Sequence, residues 1–250
     1  MRFFTPAAWW TGNVVLGALL YRGLRQRLVR EYPVFYGYLA YVLCSSLLLF
    51  RLSLVSRRAY AIGFWAEEFV AVLFGVAVTW EIYGAALAGC PGVRRMGRSL
   101  ITLIVLALFA KFAVGLAAQP ALASPMELER NLRFAQAVWL LAILSLLVYY
   151  GVPLGRNVAG LLYGYTWFIS SAVANLALRS ALGDQFQSWW TVLHPLAYLV
   201  TLVVWCAGLW SREKNLVPNP ALEQDYARFS GQTVAGIARL RARLVDGLRL

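Results

Sequence analysis

Charged residues are scarce in this chain, and acidic residues are scarcer than basic ones. Only 14% of the 250 residues are Asp, Glu, Lys or Arg, whereas 61% are hydrophobic. A soluble domain of this length needs roughly a quarter charged residues to cover its surface. The composition therefore excludes an ordinary soluble domain and predicts an integral membrane protein. We attribute the net charge of +12 to arginines that orient helices and contact anionic headgroups, and we expect no nucleic-acid partner.

Metal ligands and disulfide partners are equally few. Cys44, Cys90 and Cys206 are widely separated and show no CxxC spacing, which argues against a disulfide framework or a zinc site. His194 is the sole histidine, so metal sites built on two or three histidines are excluded. We therefore expect no bound metal and no cofactor.

What the sequence does contain is a series of apolar runs long enough to cross a ~30 Å hydrocarbon core. Prolines, and a Ser-Pro-Met-Glu capping box at residues 124–127, mark several of the predicted helix starts. The predicted spans cover residues 5–21, 33–54, 60–87, 100–117, 125–150, 158–178 and 188–210. The predicted fold class is an all-α integral membrane bundle of seven transmembrane helices, which occupies residues 1–212.

Basic residues are distributed unequally between the two sides of this predicted bundle. Of the 23 Lys and Arg residues, 15 fall on the side of the C-terminus and 7 on the side of the N-terminus. The positive-inside rule then places the N-terminus outside and the C-terminus in the cytoplasm, as in a multi-pass protein of the bacterial inner membrane. In this topology Arg94, Arg95 and Arg98 fill a short cytoplasmic loop between the third and fourth spans.

Residues 213–250 form a second region, a basic cytoplasmic tail. Ile237, Leu240, Leu244 and Leu248 recur there at helical spacing, with arginines between them. This pattern predicts an amphipathic helix that lies on the anionic membrane surface. A helix that binds a protein partner through residues 220–250 is the alternative.

Ionisable residues also occur within the predicted spans, where each costs a few kcal/mol and normally needs a partner. The third span carries Glu67 and Glu68, and at ~1.5 Å per residue both lie at about the same depth as Lys111 of the fourth span. We expect Glu68 to pair with Lys111, and Glu81, near the cytoplasmic end, to be solvated. Other polar residues predicted in the same outer layer are Asn13, Gln136, Asn175 and His194.

Such a polar layer has two interpretations. Polar residues between membrane helices often make only interhelical hydrogen bonds, worth about 0.6–2 kcal/mol each. Alternatively, they line a pocket that is open to the outside and binds a small polar or zwitterionic ligand. We expect a non-enzymatic sensor or ligand-binding module. A small solute or proton-coupled transporter and a structural subunit of a membrane complex are the alternatives.

The third span also has the pattern W-x-x-E, then G, then E-I. The residues that form it are Trp65, Glu68, Gly75, Glu81 and Ile82. Together with the length and layout of the chain, this pattern resembles a group of bacterial seven-span proteins with no assigned activity. The resemblance implies the topology and nothing chemical. A retinal-binding protein is excluded, because residues 188–210 contain no lysine for a Schiff base.

Overall fold

The structure, a computed structural model, describes residues 4–118, 125–149, 154–182 and 184–213, together with 224–225 and 227–228. The regular secondary structure in these ranges is entirely helical. The helices are α1 (Phe4–Arg25), α2 (Leu28–Glu31), α3 (Pro33–Val55), α4 (Arg57–Ala86), α5 (Pro91–Ala118), α6 (Pro125–Tyr149), α7 (Arg156–Leu182) and α8 (Asp184–Leu209). The predicted tail helix and the predicted cap Ser124 lie outside the described residues.

Four helical stretches in the described ranges are long and apolar enough to cross a membrane. They are Pro33–Val55, Arg57–Ala86, Pro91–Gly115 and Arg130–Tyr149. A shorter apolar stretch, Leu193–Leu209, lies in α8. Large apolar side chains such as Leu54, Ile62 and Leu103 are exposed along the long helices. Because extended apolar surface is unfavourable in water, these helices indicate a membrane protein.

Local sequence signals fix several helix ends. α3 begins at Pro33, and α4 begins after Ser56, whose Oγ accepts a hydrogen bond from the N–H of Ala59 at 3.0 Å. Both are common helix starts, because proline has no N–H to leave unpaired and a serine oxygen satisfies one free amide. The predicted starts of these two helices therefore lie close to the observed ones.

The start of α5 differs from the prediction. α5 begins at Pro91 rather than Leu100, so Arg94, Arg95 and Arg98 lie in its first turns and not in a loop. The physical reason is that proline is favoured at the first helical position and arginine is a good helix former. The loop between α4 and α5 is correspondingly short, and it ends at Cys90.

Six of the long helices form a closed ring. Neighbours in the ring follow the order α1, α3, α4, α6, α7 and α8, and α8 packs against α1. α5 packs against α4 and α6 from outside this ring. The ring therefore encloses an interior to which α5 is peripheral.

One end of the ring, formed by the start of α3 and the end of α8, is closely packed. The rings of Phe35 and Trp205 meet edge to face at 5.0 Å, and both side chains are buried. α7 and α8 cross where Gly160 meets Gly208, and a Cβ on Gly160 would lie 2.6 Å from the Cα of Gly208. The absence of a Cβ at these two residues is what allows the backbones to approach so closely.

Glu81 lies at the closely packed end and caps α3. Its two carboxylate oxygens accept hydrogen bonds from the backbone N–H groups of Val34 at 2.9 Å and Phe35 at 2.8 Å. These amides belong to the first turn of α3, where a helix leaves N–H groups unpaired and favours a negative charge. The prediction that Glu81 is simply solvated is therefore wrong, because this carboxylate joins α4 to α3.

The chain that follows α8 is held against the start of α7 by Asn157. Its Nδ2 donates to the carbonyl oxygens of Gly208 at 2.7 Å and Ser211 at 2.8 Å, and its Oδ1 accepts from the N–H of Glu213 at 2.6 Å. Arg212 in the same segment forms a salt bridge with Glu31 at 3.0 Å. These contacts fix the position from which the tail leaves the bundle.

Candidate functional site

The other end of the ring, opposite the closely packed end, contains a cavity of about 500 Å³. Its walls come from α1, α3, α4, α6, α7 and α8, and the described lining residues include none from α5. The chemically distinctive side chains that line it are Trp9, Asn13, Tyr38, Ser46, Glu67, Glu68, Arg133, Gln136, Tyr165, Phe168, Asn175, His194 and Tyr198. The cavity therefore presents both signs of charge, neutral polar groups and aromatic rings to its contents.

Six of the seven residues that the sequence places in one polar layer line this cavity. They are Asn13, Glu67, Glu68, Gln136, Asn175 and His194. The seventh, Lys111, has an exposed side chain on α5 and is not among the described lining residues. The structure thus brings the layer together except for the one member that lies on the peripheral helix.

Glu68 forms its salt bridge with Arg133 of α6, not with Lys111 as predicted from depth. An oxygen of the Glu68 carboxylate contacts a guanidinium nitrogen of Arg133, and the side chains are only 23% and 13% exposed. Arg133 lies one turn before Gln136 on the same face of α6, so both reach the interior of the ring. The sequence prediction counted Arg133 with the outer loops. The three-residue spacing between Arg133 and Gln136 was the signal that could have placed both side chains in the interior.

The neighbouring Glu67 faces a different helix. Its backbone carbonyl accepts a hydrogen bond from the hydroxyl of Tyr41 at 2.9 Å, and its carboxylate lies 3.5 Å from the hydroxyl of Ser45. Adjacent residues on a helix are separated by about 100° of rotation. Glu67 consequently contacts α3 while Glu68 contacts α6, and together the two carboxylates line the cavity on both sides of α4.

Gly75 makes room for the polar contacts in the middle of the cavity. A Cβ at this residue would lie 2.9 Å from the Tyr165 hydroxyl and 3.1 Å from Oε1 of Gln136. Gln136 also donates from its Nε2 to the carbonyl oxygen of Val72 at 3.4 Å. The missing side chain at Gly75 therefore lets groups from α6 and α7 approach the backbone of α4.

Two asparagines, one on α1 and one on α7, line the cavity. Asn13 donates from Nδ2 to the carbonyl of Trp9 at 3.0 Å, which fixes the orientation of its amide. Oδ1 of Asn175 is buried and has no hydrogen-bond partner among the described residues. A buried polar oxygen without a partner is costly.

Aromatic side chains complete the walls, and the sequence prediction did not include them in the site. Tyr38 and Tyr165 lie edge to face at 6.3 Å, and Phe168 meets Tyr198 at 6.4 Å. Tyr38 and Tyr165 are separated by more than a hundred residues in sequence, and Phe168 and Tyr198 lie on the successive helices α7 and α8. The ring arrangement of the helices brings the members of each pair together. Their rings offer faces on which an organic cation or an apolar group binds favourably.

The described residues contain no cluster of three or more His, Cys, Asp or Glu side chains arranged to hold a metal ion. Comparisons of the chain with models of protein families, with curated proteins and with solved structures give no match. The chemical character of the cavity is therefore inferred from its own residues.

Proposed function

We propose that the chain crosses the bacterial inner membrane seven times, with its N-terminus outside and its C-terminus in the cytoplasm. The four long apolar helices support this. Three of them, α3, α4 and α6, form a ring with α1, α7 and α8, and α5 packs beside it. The excess of Lys and Arg on the C-terminal side supports the orientation. In this orientation the cavity lies in the outer half of the membrane and the closely packed end faces the cytoplasm.

We infer that the cavity binds a small zwitterionic ligand from the outside. The observation that carries this proposal is the presence of the Glu68–Arg133 pair and the Glu67 carboxylate in one aromatic-walled cavity. A ligand ammonium group has a carboxylate and ring faces to bind, and a ligand carboxylate has the guanidinium of Arg133. The volume of about 500 Å³ falls in the range of small-molecule sites.

The closely packed end favours binding over transport. Trp205 is buried there, and the contact of Gly160 with Gly208 leaves no space between α7 and α8. A ligand that enters from the outside thus meets a closed cytoplasmic end. We propose that the protein is a non-enzymatic binding or sensing module, whose state is transmitted to the cytoplasmic tail through α8 and Asn157.

Proton-coupled or solute transport is the second candidate, and one observation favours it. Pro195 lies inside α8 and lines the cavity beside His194. Proline in a helix interior removes a backbone hydrogen bond and allows bending. Bending of α8 at Pro195 would move the part of α8 that lies between the cavity and the closely packed end.

Thermal unfolding of the purified protein in nanodiscs tests the binding proposal. The probes are a panel of free amino acids and betaines, compared with uncharged polyols and dicarboxylates of similar size. We expect at least one zwitterion to raise the Tm, and we expect Glu67→Gln to abolish this increase. Glu31→Gln, which changes a carboxylate far from the cavity, is the matched control and keeps the increase.

Two results would contradict the binding proposal: the absence of any zwitterion-induced shift, or a shift that persists in Glu67→Gln. Uptake into liposomes separates the two candidates. Accumulation of the same zwitterion in proteoliposomes, absent with Pro195→Ala, would favour transport. Binding without uptake supports the sensing module.

A further inference from the structure

A second cavity, which shares no described lining residue with the first, lies in a groove between the end of α4 and the start of α5. It has a volume of about 630 Å³. Its lining residues are Trp80, Pro91, Arg94, Arg95, Arg98, Ser99, Thr102 and Leu103. Three of these are cationic and none is acidic, so the described groove concentrates positive charge without an anion to balance it.

The residues that α5 contributes follow helical spacing. Residues 91, 94, 95, 98, 99 and 102 recur at intervals of three and four, which places them on one face of the helix. The arginines occupy the first two turns of α5, and the hydroxyls of Ser99 and Thr102 follow them. The groove therefore changes from strongly cationic at the helix start to neutral further along α5.

Arg98 is the member that is anchored most firmly. Its guanidinium carbon lies 5.2 Å from the centre of the Trp80 ring, and it packs across Gly84, where a Cβ would lie 3.0 Å from it. Its Nε is buried and has no hydrogen-bond partner in the part of the chain that the structure describes. A buried donor on a cation is costly when it is left unpaired, and the guanidinium group that carries it lines the groove, so an anion in the groove would be attracted to it.

We propose that this groove binds the headgroup of an anionic phospholipid from the cytoplasmic leaflet. Phosphate oxygens match the fork of guanidinium donors and accept two parallel hydrogen bonds from it. Beyond Thr102 the face continues into Leu103 and Leu106, whose side chains are 61% and 60% exposed. This apolar continuation suits an acyl chain, and it distinguishes a lipid from a soluble phosphate compound.

The proposal rests on the proposed orientation but not on the ligand of the outer cavity. Anionic lipids are concentrated in the cytoplasmic leaflet, and each Lys or Arg near that surface contributes about 1 kcal/mol of attraction. The start of α5 lies on the cytoplasmic side in the proposed topology. At ~1.5 Å per residue Arg98 is about 10 Å from Pro91, which places the groove across the headgroup region.

Native mass spectrometry of the full chain in a neutral detergent tests this proposal. The probes are phosphatidylglycerol, phosphatidylcholine and inorganic phosphate. We expect phosphatidylglycerol to be retained in preference to phosphatidylcholine, and R94Q/R98Q to weaken its retention about tenfold or more. R25Q/R30Q removes the same charge from exposed arginines on the same side and is expected to leave the retention nearly unchanged.

An equal loss of phosphatidylglycerol retention in both double variants would overturn the proposal, because it would indicate general attraction of the lipid to a basic surface. Retention of inorganic phosphate at millimolar concentration, equal to that of phosphatidylglycerol, would overturn the assignment to a lipid. If R94Q/R98Q fails to fold, R94Q alone serves as the test variant, since it leaves the packing of Arg98 on Trp80 in place. Unchanged lipid retention in R94Q would then overturn the site. The zwitterion-induced change in Tm is expected to persist in R94Q, so the two proposals fail independently.

Discussion

Gly160 of α7 lies directly against Gly208 of α8, and a Cβ added to Gly208 would in turn lie 2.5 Å from the Cα of Gly160. This contact closes the cytoplasmic end of the ring in the proposed topology. We expect Gly160→Ala to lower the free energy of unfolding by about 1–3 kcal/mol, the usual cost of overpacking. Thermal unfolding in detergent measures the change.

Gly17→Ala is the matched control for this crossing. Gly17 also lies within a helix, but a Cβ there would have no neighbour within 4 Å. Alanine is favoured over glycine in helix interiors by about 1 kcal/mol, so Gly17→Ala is expected to be neutral or stabilising. If Gly160→Ala is as well tolerated as Gly17→Ala, the close crossing of α7 and α8 is wrong.

The helix limits show how much of this fold is local in origin. The sequence predicted the start of α3 at Pro33 and its end near Leu54, and the structure ends α3 at Val55. These limits depend on proline, capping residues and apolar length, all of which can be identified along the chain. The start of α5 was predicted too late because arginine was assigned to a loop by its charge, although it is also a good helix former.

The partner of Glu68 shows what sequence alone could not provide. Depth along a span is proportional to residue number, so Lys111 and Glu68 were expected at similar depths. Which helix lies outside a ring depends on packing between distant segments, and no local pattern encodes it. α5 is the peripheral helix, and for this reason Arg133 of α6 forms the salt bridge instead.

The capping of α3 by Glu81 gives a second prediction. Glu81→Ala removes the acceptor of two amides, those of Val34 and Phe35, and we expect a loss of about 2 kcal/mol or more in the free energy of unfolding. Glu81→Gln keeps one acceptor oxygen and should lose less. Hydrogen exchange at the two amides measures the effect directly. Unchanged protection of both amides in Glu81→Ala would contradict the capping contact.

The salt bridge between Glu68 and Arg133 gives a third prediction. In a double-mutant cycle, Glu68→Gln and Arg133→Gln should each destabilise the protein, and the double variant should cost less than the sum of the two. The expected coupling energy is about 1–3 kcal/mol, because the pair is largely shielded from water. The corresponding cycle for Glu31 and Arg212, whose side chains are 29% and 55% exposed, should give less than about 1 kcal/mol. Equal coupling in the two cycles would show that Glu68 and Arg133 are not buried together.

Access of water to the outer cavity gives the last prediction, and it separates the two interpretations of the polar layer. Ser46 lines the cavity, whereas Leu48 is exposed on the outer surface of α3 only two residues further along. Cysteine at either residue would thus have nearly the same depth in the membrane, within about 3 Å. Thiol reagents react with the thiolate, which forms in water and not in hydrocarbon.

We therefore expect Ser46→Cys to react rapidly with a membrane-impermeant thiol reagent applied from the outside, and Leu48→Cys to react slowly. Both variants are made in a background without Cys44, Cys90 and Cys206, so that each has a single thiol. Reaction of Ser46→Cys only with reagent on the cytoplasmic side would reverse the proposed orientation. Equally slow reaction of the two variants from both sides would mean that the cavity is closed to water, and the polar layer would then serve only to join the helices.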